Sequence, residues 1–354
     1  MKNVSFILIV LLLFVGFSPS FGAIDRMAIQ WVFLAIINFL SLGYISFQSQ
    51  KLITSSGIFR SEIIISLILL QLLGLISFFF SINLIESLIE ISKIFILFTS
   101  LLSFYLLLSF LKPTFNTIHK LIYAFVLVEL IYFYLNFYFT GSLKGMTANV
   151  NILAFSILFK IPFILHGIYK GQKTFFNFLL LLLSVIILFL ISSRGAFLGL
   201  FSILLIFSLF YLKKYKLTLL SFFSVFISFI IAFIYQQSLP SSKLVNLSLF
   251  NDSTNQRFLF FKAALESLFS TFPFGIGIGN WKITSISYYN VFMSSYIVPY
   301  HAHNDFLQIG AELGIFGMLT YFLFFFFIFR FLYFQLFVDK QYIFIPIACS
   351  VLIY

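Results

Sequence analysis

The residues best suited to chemistry lie in the stretch His301-Ala302-His303-Asn304-Asp305 and at two separate arginines, Arg194 and Arg257. An imidazole with an ordinary pKa of about 6.5 can take a proton from a hydroxyl at neutral pH, so His303 is a candidate general base. It stands just before an apolar run, which would place the backbone N–H groups of Asp305 and Phe306 at a helix start, where anions are favoured. Arginine offers a permanently charged, planar fork that matches phosphate or carboxylate oxygens. Arg194 sits between Ile191 and Ala196 with no acidic neighbour in sequence. Facing lipid would cost it roughly 3 kcal/mol, so it is expected to point at water, a phosphate or a carboxylate. Asn304, Asn149 and Asn151 are accessory candidates. A surface histidine just above the bilayer is the plain alternative for His303, and His301 is left at that reading.

Other polar residues suggest structure as readily as function. Glu129 and Lys160 fall near the middle of consecutive apolar runs, where a mutual ion pair is the structural explanation and a functional polar site the alternative. Lys93 is expected to snorkel. No set of His and Asp residues has metal-ligand spacing, and no metal or other cofactor is expected. Gly275, Gly277 and Gly279, between Pro273 and Trp281, mimic a dinucleotide fingerprint, but that loop needs a preceding strand and a following helix in a soluble βαβ unit. Here the expectation is a turn that lets backbone approach a substrate or folds its loop back on the rest.

The elements that must position these groups are set by composition. Of 354 residues, 62% are hydrophobic and 9% charged, and 56 are Phe. That is too apolar for a water-soluble surface, whereas lipid-facing helices accept such side chains freely. Runs long enough to cross roughly 30 Å of hydrocarbon extend over 4–18, 27–47, 63–82, 88–111, 118–139, 150–169, 175–191, 196–212, 217–235, 305–329 and 343–354. The expected fold is therefore an all-α, polytopic transmembrane helix bundle of about eleven helices, the last one cut short. Its segments are N-terminal spans (1–139), central spans (140–235), one long loop (236–304) and C-terminal spans (305–354). An uncleaved first helix is preferred over a signal peptide ending near Ser20 and Gly22, because a second span starts at Met27. Within the loop, Phe258, Phe261, Leu265, Leu268 and Phe269 recur at helical spacing opposite Arg257, Lys262 and Glu266, as in a helix lying at a membrane surface.

Basic residues favour cytoplasmic loops. Placing Lys2, Lys51 with Arg60, Lys112 with Lys120, Lys170 with Lys173, the Lys213, Lys214 and Lys216 group, and Arg330 with Lys340 inside leaves the turns near Phe21, Ile85, Gly141 and Ser193, and the loop 236–304, outside. The net charge of +11 is thus spread along the topology instead of massed as a nucleic-acid surface. One cysteine, Cys349, excludes an intrachain disulfide.

His303-Asn304, nine intervening residues, then Gly314-x-x-Gly317 resembles the signature of the bacterial O-antigen ligase family, shared loosely with O-antigen polymerases and protein O-oligosaccharyltransferases. Ser193-Arg194-Gly195, Arg257 ahead of an amphipathic helix, the glycine-rich turn and, more weakly, Asn149-x-Asn151 are similar too. The likeness is good over residues 140–335 and lies in hydropathy alone before that. It implies a glycosyltransferase of the bacterial inner membrane with its site facing the periplasm and independent of metal and ATP. The donor would be an undecaprenyl-diphosphate-linked glycan and the acceptor a sugar hydroxyl, most naturally of lipid A-core. His303 would then be catalytic, and Arg194 and Arg257 would bind the diphosphate. A polymerase using the same donor and, from another class, a lipid or polysaccharide flippase are the alternatives.

Overall fold

The computed structural model describes residues 2–18, 26–48, 61–146, 149–237, 252–289 and 300–353. The expected turns at Phe21, at Lys51 and Arg60, and the loop residue Lys243 lie outside these ranges, as do Ser20 and Gly22. The chain-ordered helices are α1 (Lys2–Phe14), α2 (Arg26–Gln48), α3 (Glu62–Ser77), α4 (Leu84–Leu111), α5 (Phe115–Thr140), α6 (Val150–Tyr169), α7 (Thr174–Ile191), α8 (Arg194–Phe210), α9 (Tyr215–Gln237), α10 (Asp252–Ser270), α11 (Trp281–Tyr289), α12 (Asp305–Tyr333) and α13 (Ile345–Ile353). No strand occurs among the described residues. Among the described residues eight helices are long and apolar enough to span a membrane, and three shorter apolar ones, Asn3–Phe17, Arg194–Phe210 and Tyr342–Leu352, accompany them. These match the eleven apolar runs. Helices are what such sequence must form in lipid, where backbone N–H and C=O groups find no water and have to pair within their own segment. The protein is an all-helical, multi-pass membrane protein.

The chain divides into two compact units. One comprises Met1–Leu12, Trp31–Leu111 and Ser248–Phe331; the other comprises Leu13–Gln30, Lys112–Leu247 and Leu332–Tyr354. His303 and Arg257 belong to the first, and Arg194, Asn149 and Asn151 to the second.

In the second unit α6 and α7 form the core, with 67% and 56% of their spanning windows buried against 17–22% in the other spans. α7 packs against both α6 and α9, and Ile161, Ile164, Leu165, Leu181 and Val185 are inaccessible. The ends are fixed by local chemistry. Thr114 caps α5 by accepting the Thr117 N–H, and Gly141 ends it in the left-handed region at φ 66°. Mid-helix, Lys160 Nζ donates to Glu129 Oε2 at 2.7 Å and to Ser156 Oγ at 2.6 Å, while Ser156 Oγ donates to Glu129 Oε1 at 2.6 Å. The expected ion pair is therefore present, and it borders a cavity of about 220 Å³ walled by Phe17, Phe125 and Ile152.

In the first unit the decisive feature is a break in α12. Gly314 has φ 71° and ψ −169°, which stops helical hydrogen bonding there. The groups so released are met by the glycine-rich turn: Ile276 N–H donates to Ala311 O at 2.9 Å, Gly277 N–H to Glu312 O at 3.0 Å, and Ile315 N–H to Pro273 O at 3.2 Å. The turn is in turn stitched to the segment between α3 and α4. Asn280 Oδ1 accepts the Asn83 N–H at 2.8 Å, its Nδ2 donates to Ser87 Oγ at 2.8 Å, and Ser87 Oγ donates to Ile278 O at 2.6 Å. Lys282 and Glu86 pair at 2.5 Å. Of the two expectations for Gly275, Gly277 and Gly279, folding back is what occurs. All three have positive φ, and a Cβ on Gly277 would overlap Ser81. Lys93, expected to snorkel, is neutralised by Glu90 at 2.6 Å one turn before it.

Candidate functional site

The site is built on α10, the turn after it and the start of α12. The buried side of α10 consists of Phe260, Ala263, Ala264, Ser267 and Leu268, whereas Phe258, Leu265 and Phe269 are exposed. The stripe marked by the large apolar side chains is thus mostly the outward face, apart from Leu268. Small residues form the inner one, because they let α10 approach closely enough for Phe260, Ala263 and Ala264 to pack with Trp281, Ala302 and Ala311 as a single cluster. Trp281 is fully buried at its centre.

His303 projects above this cluster. Its ring stacks on Phe260 with centroids 5.8 Å apart and planes 19° apart, while it remains accessible to solvent. Its backbone lies in the left-handed region at φ 58°, a conformation that costs a non-glycine residue roughly 1–2 kcal/mol. The chain is held on the far side by Asn304, whose Oδ1 accepts the Leu307 N–H at 3.1 Å, capping α12. Partial withdrawal from water, the positive charge of Arg257 and then His301 hold the His303 imidazole below its ordinary pKa. A lowered pKa keeps the ring neutral at pH 7, the form that can accept a proton. Arg257, one turn before Phe260 on α10, is exposed and makes no ion pair among the described residues. Its guanidinium is therefore open to an external anion.

The remaining candidates sit in the second unit. Arg194 is the first residue of α8, half-buried, immediately after a turn in which Ser192 takes φ 58°. That turn is fixed by Gln236 of α9, whose Nε2 donates to Leu190 O at 2.9 Å and to Ser192 Oγ at 3.0 Å. Asn149 caps α6, its Oδ1 accepting the N–H groups of Asn151 and Ile152 at 2.8 and 3.4 Å. Asn151 is exposed.

Sequence reasoning gave no role to Glu312 and Gln308. Glu312 is 7% exposed inside an apolar helix and accepts the Trp281 N–H at 3.1 Å. Its signal was available, since the argument that flagged Glu129, a carboxylate within a spanning run, applies to it equally. Among the described residues no group of three or more His, Cys, Asp or Glu residues could hold a metal ion.

Residues 179–322 match a family model described as O-Antigen ligase. That range contains Arg194, Arg257, His303, Asn304 and the break at Gly314. No curated protein and no solved structure gives a match.

Proposed function

We propose, from the match of residues 179–322 to a family model described as O-Antigen ligase, that the chain moves a glycan from a polyprenyl diphosphate to a sugar hydroxyl, with lipid A-core as acceptor. The observation that carries the reading is a solvent-accessible imidazole, His303, close enough to Arg257 for that charge to lower its pKa, with Arg257 itself exposed and in no ion pair among the described residues. His303 takes the proton of the acceptor hydroxyl as its oxygen attacks the anomeric carbon. The bond from that carbon to the diphosphate oxygen breaks, and the leaving group departs with the electron pair. Arg257 and Arg194 bind the diphosphate and stabilise the charge that develops on it. Direct displacement inverts the anomeric centre. Asn304 supports His303 by capping α12, and Asn149 and Asn151 are assigned an accessory place near the donor. The site is assigned to the periplasmic face of the inner membrane, where the basic loops leave it.

Purified protein, a polyprenyl-diphosphate glycan and lipid A-core test the proposal. General-base removal in His303→Ala should lower kcat by about 10²–10⁴-fold with unchanged insertion and expression. Retained transfer would refute the general-base role. Glycan appearing on lipid A-core supports the ligase, whereas lengthened polyprenyl-linked chains would reassign the protein as a polymerase. A flippase reading draws on the cavity beside Glu129 and Lys160; lipid translocation by His303→Ala without any glycan transfer by the unmodified protein would favour it.

A further inference from the structure

Gln308 and Glu312 form a relay that ends at the residue before His303. Gln308 Nε2 donates to Glu312 Oε1 at 3.4 Å, and Gln308 Oε1 accepts the Ala302 N–H at 3.0 Å. Glu312 at the same time accepts the N–H of Trp281, at the end of the glycine-rich turn. Both termini of the relay are buried: Ala302 is inaccessible and Glu312 nearly so. A buried backbone N–H requires an acceptor, and Glu312 Oε1, which already takes the Trp281 N–H, is an acceptor towards Gln308 as well. The side chain between them must therefore donate at one end and accept at the other, over the length of one helical turn. An unbranched primary amide does this, and both neighbours dictate which way round its oxygen and nitrogen lie.

We propose that Gln308 and Glu312 are positioning residues for His303, setting the left-handed backbone at that residue and tying it to the glycine-rich turn. Strain at His303 persists only if its neighbours are over-determined. Ala302 is fixed by Gln308, and Asn304 is fixed as the cap of α12, so His303 is pinned from both sides. The ring can then stack on Phe260 and face an acceptor hydroxyl. The inference rests on His303 being the proton acceptor, as proposed above.

Swapping the two side chains tests it. In Gln308→Glu two carboxylates face each other across the Gln308–Glu312 contact, and once the proton they share is lost neither can donate. That displaces the His303 loop, and a misplacement of about 1 Å can cost roughly 100-fold in kcat; KM stays near that of the unmodified protein. Lowering the pH supplies a shared proton and restores a donor, so activity of this variant rises with acidification where that of the unmodified protein falls. In the double variant Gln308→Glu with Glu312→Gln every partner is again matched, with the polarity of the contact reversed, and kcat recovers by about tenfold or more, the factor that a restored buried hydrogen bond corresponds to. A double variant no better than Gln308→Glu, or a Gln308→Glu variant with unaltered kcat and pH profile, overturns the relay. Should Gln308→Glu fail to accumulate in membranes, Gln308→Ala removes the bridge without adding charge, and unaltered kcat there is equally fatal. His303→Ala assayed alongside separates the two claims: if inactive while the Gln308 variants are fully active, only the relay falls, and if active, the general-base reading falls and takes the relay with it.

Discussion

At the scale of single residues the argument turns on the protonation of His303. Partial withdrawal from water and the charge of Arg257 both lower its pKa, so the acid limb of kcat/KM should lie below the range of an ordinary imidazole. Removing a positive charge stabilises the imidazolium and raises the pKa, so Arg257→Ala should move that limb to higher pH. It should also raise KM for the donor by about 10–100-fold, the range expected for losing a charge-assisted hydrogen bond. Arg257→Lys separates the two effects, because it keeps the charge and loses the planar fork. Its limb stays in place while its KM rises. A pH–rate profile that does not move in Arg257→Ala would mean that His303 is not the group being titrated. Glu312 belongs to the same scale: a lone carboxylate in apolar sequence announces that it has partners, but only coordinates reveal that they are backbone N–H groups from a distant turn.

At the scale of elements, α12 works as two pieces. Gly314 is required twice over, by its positive φ and because a Cβ there would overlap Pro273 O. Gly314→Ala should therefore destabilise the protein by about 2 kcal/mol or more, seen as a lowered melting temperature in detergent. Gly310→Ala meets the flexible Met318 Sδ at 3.1 Å and should cost less than about 1 kcal/mol. Equal shifts for the two would mean that the break is not what the glycine supplies. The eleven apolar runs were legible because few structures other than a spanning helix accommodate them. The break was not, since glycine is ordinary in membrane helices and Gly310, Gly314 and Gly317 at that spacing suit a small-residue packing face just as well. The inner face of α10 was not legible for a related reason. Hydrophobic size marks Phe258, Leu265 and Phe269, whereas close approach selects Ala263, Ala264 and Ser267, and no pattern of hydrophobicity ranks small residues as core. That His303 stands just before a helix start and Arg257 lies on a helix of the long loop was legible from motif and spacing; the bridge made by Gln308 was not, because an uncharged amide at a helix start reads as solvated.

At the scale of the whole molecule, the residues assigned to the proposed chemistry are divided between the two units. His303 and Arg257 lie in the one holding Ser248–Phe331, and Arg194 in the one holding Lys112–Leu247. The proposed chemistry thus requires that both present these residues to the same face of the membrane, which the alternation of basic loops implies through the bias of Lys and Arg toward the cytoplasm. Cysteine labelling tests this directly, because the single native cysteine, Cys349, is buried and contributes little background. Lys262 is 75% exposed on α10, so Lys262→Cys should react with a membrane-impermeant maleimide from the periplasmic side. Lys213→Cys, in the basic group between α8 and α9, should react only after the inner membrane is opened. Arg194→Cys, at the start of α8, should label from the same side as Lys262→Cys, more slowly because the position is half-buried. Labelling of Arg194→Cys from the side opposite to Lys262→Cys would remove Arg194 from any shared diphosphate, leaving Arg257 alone beside His303 and a donor held by a single guanidinium.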